Sequence, residues 1–452
     1  MSDIAFDGSI QAVINPPEGL TPFKQTSFWA ETIDWSVRCG VLDLPETADV
    51  AVVGAGLTGL SAGRALAKTG AKVAVIEAES VGWGANSRNG GMVLTGLKLP
   101  VEKLVAKYGL DVSRKLHAAS LSSIDCVERI ISEERIDCDF VRSGHLVVAC
   151  KLAHFDEFRR SAEALARDFQ HEVRIVARRE LPSEIGSEIY YGGLVDEASA
   201  GVNPAKYVAG LARANERAGA TLHEQTRVER VERAARAGVN GFHLITTRGK
   251  LWARDIFVAT SGYTGSATPA LRKRIIPIGS YIIVTEPLSE DLARHLSPRN
   301  RMIYDSKNFL HYFRITPDSR MLFGGRAAFF PETPDTIRQS AKILRQGMLR
   351  VFPALRHLAV EYAWGGTLDF TFDMLPHAGK IDGLYYAMGY AGHGVAMATY
   401  LGTKMAETIP GGQDENPFST PPFPGAPLGL YNGTLWFLPF VGAWYKLLDW
   451  IH

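Results

Sequence analysis

An α/β fold in two lobes is what this sequence predicts, on three observations. Near the amino end an apolar run, a glycine-rich turn, a helical stretch and a second apolar run ending in an acid follow one another from Asp49 to Glu77. From Ile275 to Arg326 the chain alternates with the period of two that marks half-buried strands. A length of 452 residues exceeds one ordinary core.

The first stretch is the most informative. Val50 to Val53 reads as a strand, Gly54-x-Gly56-x-x-Gly59 as a tight turn, and Leu60, Gly63, Leu66 and Ala67 as one face of a helix. Gly54 lets the chain leave the strand sharply, Gly56 lets backbone approach a pyrophosphate, and Gly59 lets the helix pack closely. The helix start offers unpaired N–H groups and a positive dipole end to phosphates. Glu77, closing the second strand Val73 to Ile76, accepts from ribose hydroxyls and repels a 2′-phosphate, which argues against NADP. This is a Rossmann-like dinucleotide site.

Composition sets the outer bounds. With 46% hydrophobic and 21% charged residues the chain reads as globular, and a net charge of +1 gives no reason to expect nucleic acid or a strongly acidic partner. Cys39, Cys126, Cys138 and Cys150 lie far apart without metal-ligand spacing, so no metal is expected and reduced thiols in a cytoplasmic protein are. Asp3, Asp7 and Glu18 interrupt any signal-peptide core near Met1.

In chain order, residues 1–45 read as an irregular arm with Trp29 and Trp35, more suited to wrapping the body than to touching substrate. The loop Gly82 to Met92 is so rich in glycine and small polar residues that its backbone must approach something, and Arg88 adds a cation near phosphate. Residues 101–135 read as helices, Cys138 to Ala149 as a hairpin with His145 a structural or solvent-facing strand residue, and 153–180 as helical. Tyr190 to Asp196 reads as strand, and Gly201 to Gly219 as a helix with Pro204 near its start and Gly219 at its end. Ala220 to Val231 is expected as one strand, with Phe242 to Thr246 and Leu251 to Ala259 a further pair. The exit Ala259-Thr-Ser-Gly-Tyr263 leaves room for the middle of a cofactor, as an ordinary strand exit also would.

In the alternating stretch, Pro277 to Thr285, Asn308 to Arg314 and Arg320 to Arg326 read as strands. Period two puts His311 and Phe313 on one face and Tyr312 and Arg314 on the other, so one face can line a pocket. Arg314 and Arg326 can grip a carboxylate or serve as structural ion pairs. A helix over 335–352 follows. Beyond Trp364 to His377, the strand from Leu384 runs through Gly389, Gly392 and Gly394 into a second helix start. The tail Leu435 to Ile451 is too interrupted by Pro439, Lys446 and Asp449 to span a membrane. It packs on the protein or makes an in-plane membrane contact through Trp444, Leu447, Leu448 and Ile451.

Together, the glycine triplet with Glu77, the Gly82 to Met92 loop, Ala259 to Tyr263, Trp364-Gly-Gly-Thr367 with Asp373 and Pro376, and Gly389 to Met397 resemble the FAD-dependent D-amino acid oxidase superfamily. The γ-glutamylputrescine oxidase branch is the most similar. The resemblance implies a GR2-type FAD-binding domain built from separated segments and an antiparallel-sheet α+β substrate domain. The expected division is an arm 1–45, FAD-binding segments 46–135, 201–265 and 361–410, substrate segments 136–200 and 266–360, and a tail 411–452.

By the same resemblance, Gly54, Gly56, Leu57, Thr58, Gly59, Glu77 and Ala78 hold the ADP half, and Val228 meets the adenine end through its backbone. Gly84, Ala85, Ser87, Arg88, Asn89, Gly90, Gly91 and Met92 run along the cofactor. Thr260, Ser261, Gly262, Tyr263 and Gly365 flank its middle, and Gly392, His393, Gly394, Val395, Ala396 and Met397 cap the isoalloxazine. Ser87-Arg88 stands where covalent members carry an attachment histidine, so the FAD is expected to be non-covalent. Candidates on the substrate side are His393, Tyr281, Arg326 and Trp364.

The implied reaction is oxidation of a C–N bond in a small amine or amino acid, with the cofactor carrying the hard chemistry. O2 or a quinone is the acceptor. A membrane-associated dehydrogenase and a non-catalytic nucleotide-binding protein are the alternatives: the first reoxidises with quinone rather than air, and the second does not bleach with any amine.

Overall fold

The computed structural model describes residues 22–34, 43–325, 332–412, 415–426, 429, 431 and 433. Trp35, Cys39, Arg326 and the aromatic tail 435–451 lie outside the described residues.

Two eight-stranded sheets organise the molecule. In the first, Thr47–Val53 lies between Val73–Ile76 and Gly249–Val258, parallel to both, and Thr221–His223 extends it beyond Val73–Ile76. Leu384–Met388 joins Gly249–Val258 in parallel, followed by the antiparallel His377–Ile381. A meander, Val228–Arg236 and Val239–Thr246, pairs with the opening half of Gly249–Val258. The buried strands Thr47–Val53 and Val73–Ile76 are nearly continuous runs of Val, Ala and Ile, as a parallel sheet covered on both faces demands.

The second sheet runs Val360–Phe370, Ile276–Pro287, Arg320–Gly325, His311–Ile315, Met302–Asp305, His145–Val148, Gly192–Asp196, Arg174–Ala177. It is antiparallel except where Met302–Asp305 lies parallel to His145–Val148. Its far face packs on the helix Pro334–Val351 through Tyr281, Ile283, Phe313 and Phe323. Its near face carries Ser280, Ile282, Tyr304, Tyr312, Leu322 and Trp364, set by register with Ile282 opposite both Gly324 and Trp364.

Several sequence expectations need correction. Cys138 to Ala149 does not form a hairpin: only His145–Val148 is a strand, and its partners come from distant segments. Pairing of that kind leaves no local pattern. Of the two readings of His145 the structural one holds: it is a buried strand residue, its Nδ1 2.7 Å from Ser199 Oγ. The stretch 153–180 is a helix only over Leu152–Phe169; Gln170 stops it in the left-handed region, and Arg174–Ala177 becomes a strand. Ala220 to Val231 breaks in two because Gln225 and Thr226 donate to the carbonyls of Glu79 and Glu77, at 2.8 and 2.7 Å. Val360–Phe370, expected partly within an FAD-binding segment, pairs with Ile276–Pro287 of the second sheet. The helices Val101–Tyr108, Leu110–Glu134, Pro204–Ala218 and Pro334–Val351 stand where the sequence puts them. Asn203 caps Pro204–Ala218 and left-handed Gly219 ends it.

The helices Leu57–Lys68 and Gly394–Thr408 pack so closely that a Cβ on Gly402 would overlap the Thr58 carbonyl oxygen and lie 3.1 Å from Ser61 Cβ. That contact brings two helix starts side by side. Gly402→Ala is expected to cost about 1–3 kcal/mol through overpacking. Its measure is a lower Tm accompanied by poorer cofactor retention.

Candidate functional site

Both helix starts open on one cavity of about 780 Å³, at the upper end of the range for small-molecule sites, roughly 300–1,000 Å³. Gly56 precedes the helix Leu57–Lys68, His393 precedes Gly394–Thr408, and no side chain caps either. The first-turn N–H groups are therefore available to an anion. Gly54 has φ +106°, and a Cβ there would stand 2.8 Å from the Ala259 carbonyl oxygen, so strand and turn admit only glycine.

Glu77 sits at the end of Val73–Ile76 and lines the cavity. Its Oε2 accepts from Ala55 N at 2.8 Å and its Oε1 from Glu79 N at 3.0 Å, which fixes the carboxylate beside the glycine turn. Burial raises its pKa, and the two backbone donors oppose the rise. Val228 reaches the same end of the cavity because the chain kinks at Gln225.

The loop Gly82 to Met92 forms the next wall, and side chains from outside the loop hold four of its carbonyls. Ser27 Oγ donates to Ser87 O at 3.2 Å, Trp364 Nε1 to Arg88 O at 2.9 Å and Trp29 Nε1 to Asn89 O at 2.9 Å. Arg314 Nη1 donates to Gly91 O at 3.1 Å and to Val202 O at 3.0 Å. Arg88 itself reaches Glu332 Oε1 at 3.1 Å and Gly365 O at 3.2 Å, and lies over the Trp83 ring.

Asp369 ties the two sheets together at the cavity wall. Its Oδ2 accepts from Ser261 Oγ at 2.5 Å and Gly389 N at 2.6 Å, its Oδ1 from Tyr390 N at 3.2 Å. Tyr390 OH in turn lies 2.6 Å from Thr58 Oγ1. Burial pushes the Asp369 carboxyl up to about 6. Burial, assisted by Lys98 and His145, pushes His393 down to about 3, so its imidazole is neutral at physiological pH.

The cavity brings together Gly54, Gly56, Leu57, Thr58, Glu77, Ala78, Gly84, Ala85, Arg88, Asn89, Gly90, Met92, Val228, Thr260, Ser261, Tyr263, Gly392, His393, Gly394 and Val395. Seven expected residues do not line it. Gly59 and Gly91 pack against the Gly54 and Val202 carbonyls, and Gly262 against Thr367 and Leu368. Ser87 turns its hydroxyl to the Gly82 carbonyl, Gly365 lies between Tyr281 and Glu332, and Ala396 and Met397 are buried in the helix core.

Two substrate-side candidates are corrected. Tyr281 is 2% exposed on the far face of the second sheet, its hydroxyl 3.4 Å from Thr336 Oγ1, because period two turns it away when Ser280 faces the cavity. Trp364 is buried and holds the Arg88 carbonyl rather than lining the cavity. Arg314 is 2% exposed and bound to carbonyls, so it grips the loop, not a substrate. The sequence reading missed Asn86, Lys98, Ser280, Tyr304, Leu310, Tyr390 and Asp369 as lining residues. An acid at Asp369 beside the apolar Phe370 was the available signal for one of them.

The fit to FAD rests on the wall itself: two uncapped helix starts, a fixed carboxylate, and the buried Asn86 Nδ2 and His393 Nδ1, which have no hydrogen-bond partner among the described residues. The family model described as DAO, FAD dependent oxidoreductase, matches residues 49–408. This chain belongs to the DAO family of FAD-dependent oxidoreductases. It is 31% identical over 388 residues to gamma-glutamylputrescine oxidoreductase of Escherichia coli, covering 85% of this chain and 89% of that one. It is 33% identical over 373 residues to the probable oxidoreductase OrdL of Haemophilus influenzae, covering 81% and 84%. Among solved structures, glycine oxidase from Geobacillus kaustophilus matches the fold with a TM-score of 0.70 at 22% identity, over 84% of this chain and 100% of that one. The chain is thus an FAD-dependent oxidoreductase of a family that acts on amines and amino acids. No helix among the described residues is long and apolar enough to cross a membrane. Cys126, Cys138 and Cys150 are free.

Two outcomes follow from this wall. Glu77→Gln keeps the shape but leaves one acceptor oxygen, and FAD affinity should fall about tenfold, read by fluorescence titration of the apoprotein. The neutral form of Asp369 is favoured in the fold, so its contribution is full below the ordinary value of 3.8 and is lost as pH rises through about 6. Relative to wild type, apo Asp369→Asn should therefore gain stability between pH 4 and pH 7, by about 3 kcal/mol at most. Urea melts across that range measure the gain.

Proposed function

We infer that the chain oxidises the C–N bond of a small amine, with a γ-glutamyl-amine as the substrate best supported and O2 as acceptor. The observation that carries this reading is that the FAD-holding wall and the near face of the second sheet close on the same cavity. The relative that acts on γ-glutamylputrescine by its name, aligned over 85% of this chain, supports the substrate class.

When bound, FAD would supply the two-electron acceptor that oxidation of the C–N bond requires. The protein's part is positioning and exclusion of water. The uncapped start of Gly394–Thr408 opens on the cavity, where its N–H groups and positive dipole end would stabilise negative charge on a bound cofactor. His393, neutral at the cavity, leaves the substrate amine free of a facing imidazolium and offers Nδ1 as a hydrogen-bonding group. Overall, the CH–NH unit loses two electrons and two protons, which convert O2 to hydrogen peroxide, and water then hydrolyses the imine to an aldehyde or keto acid and a free amine.

The purified protein should be yellow, bleach anaerobically with γ-glutamyl amines and release peroxide in air. Failure to bleach with any amine would sink the reading, and reoxidation by a quinone but not by air would replace O2 as acceptor. Ser87 and Arg88 offer no attachment atom of the histidine type, so acid precipitation should free all FAD into the supernatant, leaving a colourless pellet.

A further inference from the structure

Behind the cavity wall lies a string of buried polar groups. His145, Ser199, Thr95, Asp196, His171 and His117 come from five separate stretches of chain, and each is at most 9% exposed. Sealing such groups away from water is costly unless their hydrogen bonds are met.

For five of the six they are met in a line. His145 Nδ1 lies 2.7 Å from Ser199 Oγ, Ser199 Oγ donates to Thr95 Oγ1 at 3.4 Å, and Thr95 Oγ1 donates to Asp196 Oδ2 at 2.5 Å. The same carboxylate oxygen lies 2.8 Å from His171 Nε2. Thr95 N also donates to Ser199 Oγ at 3.0 Å and Ala198 N to Asp196 Oδ1 at 3.0 Å, which holds both acceptors in place. With His145 as its Nδ1–H tautomer, every side-chain donor from that end points toward Asp196.

The two ends of the line differ. At the inner end the His145 ring stacks on that of Tyr304 at 5.5 Å, and His145 helps to depress the pKa of His393; Tyr304 and His393 both line the cavity. Leu94 and Lys98, on either side of Thr95 in sequence, line it too. The outer end is His171, whose side chain is 11% exposed against 6% for Asp196.

Charge favours transfer in that direction. Burial lowers the pKa of His145, so its imidazole rests neutral with Nε2 able to take a proton. Burial works against the Asp196 carboxylate, but the His171 bond and the charges of both histidines hold it well below the usual carboxylate range. Arg301, which faces His145, is paired with Glu184 and Glu197, each at 2.6 Å, and His117, which faces His171, is pushed by burial down to about 4.

Oxidation that starts from an ammonium needs somewhere to put its proton. Of the acids lining the cavity among the described residues, Glu77, Glu79 and Glu229 stand toward the Val228 end, and Asp369 is committed to three donors. Burial leaves His393 a poor base, at about 3.

We propose that His145, Ser199, Thr95, Asp196 and His171 form a proton relay that takes the proton shed by the substrate ammonium out of the cavity to solvent. This rests on the reading of the cavity as an amine-oxidising site. One proton enters at His145 Nε2 and one leaves from the His171 imidazole. At each link one N–H or O–H bond forms as another breaks, and no electrons move.

The test is anaerobic stopped-flow bleaching of the FAD-loaded full chain by γ-glutamylputrescine and by a plain alkyl diamine, in weakly buffered solution with a pH indicator that times the proton's arrival outside. At saturating amine, Thr95→Val and His171→Ala should each bleach about tenfold more slowly than wild type, with the indicator delayed alongside and the half-saturating concentration little changed. Thr95→Ser keeps the hydroxyl and should run near the wild-type rate. Free imidazole should restore His171→Ala but not Thr95→Val, a difference that a merely structural role would not produce. If Thr95→Val does not retain FAD, Ser199→Ala breaks the same line one link nearer the cavity and should show the same slow bleaching. Wild-type rates in both His171→Ala and the broken-link variant, or a His171→Ala that imidazole leaves slow, would remove the relay while the amine-oxidising reading stands. If neither amine bleaches wild type, both are wrong.

Discussion

A buried arginine that has no carboxylate partner at hydrogen-bond distance among the described residues holds the wall on which the rest of the site depends. Arg314 spends its Nη1 on the carbonyls of Gly91 and Val202, beneath the Trp29 ring, and burial alone depresses its pKa to about 10. Leaving a guanidinium in such a place is costly unless its donors are met. The two carbonyls it meets belong to segments far apart in sequence, and the Gly91 carbonyl also accepts from Val202 N at 2.8 Å. The arginine therefore fixes where the Gly82 to Met92 loop sits relative to the helix Pro204–Ala218 that follows Val202.

The same loop is held at three further carbonyls by Ser27, Trp364 and Trp29. A glycine-rich loop has large conformational entropy to lose, so a ligand that had to order it would bind weakly. Holding it from behind moves that cost from binding into folding. The arm that carries Ser27 and Trp29 is accordingly part of the site's scaffold, although neither residue touches the cavity.

The elements that face the cofactor were legible in the sequence because their constraints are local. A strand, three glycines and an acid need only their own neighbours to be recognised, and Gly54, Gly56 and Glu77 stand at the cavity as that pattern implies. Strand alternation likewise put Tyr312 and Arg314 on one face, as the register shows. What alternation could not supply was which residues on a face meet empty space. Tyr281 and Ser280 are adjacent in sequence and equally suited to a pocket by composition; only the packing of Pro334–Val351 on one side makes Tyr281 core. Arg314 could be read as a carboxylate grip or a structural ion pair, and its actual role escaped that reading because it depends on two distant carbonyls. The false hairpin at Cys138 to Ala149 fails for the same reason, since its strand finds partners at Gly192–Asp196 and Met302–Asp305.

Asp369 shows how the two sheets are made to share one cavity. It lies on the second sheet, yet three of its partners, Ser261, Gly389 and Tyr390, belong to the loops at the ends of two first-sheet strands. The Ala391 N–H also donates to the Asp369 carbonyl, at 2.8 Å. The turn that launches the helix Gly394–Thr408 is thereby tied to the second sheet, while Tyr390 OH ties it to Thr58 on the other helix. Movement of one sheet against the other would break these bonds together, so Asp369 couples the turn before Gly394–Thr408 to the second sheet. Each carboxyl oxygen can take more than one donor, which is what Ser261, Gly389 and Tyr390 require of Asp369. Its burial opposes ionisation, and the three donors are what make the ionised form tolerable there.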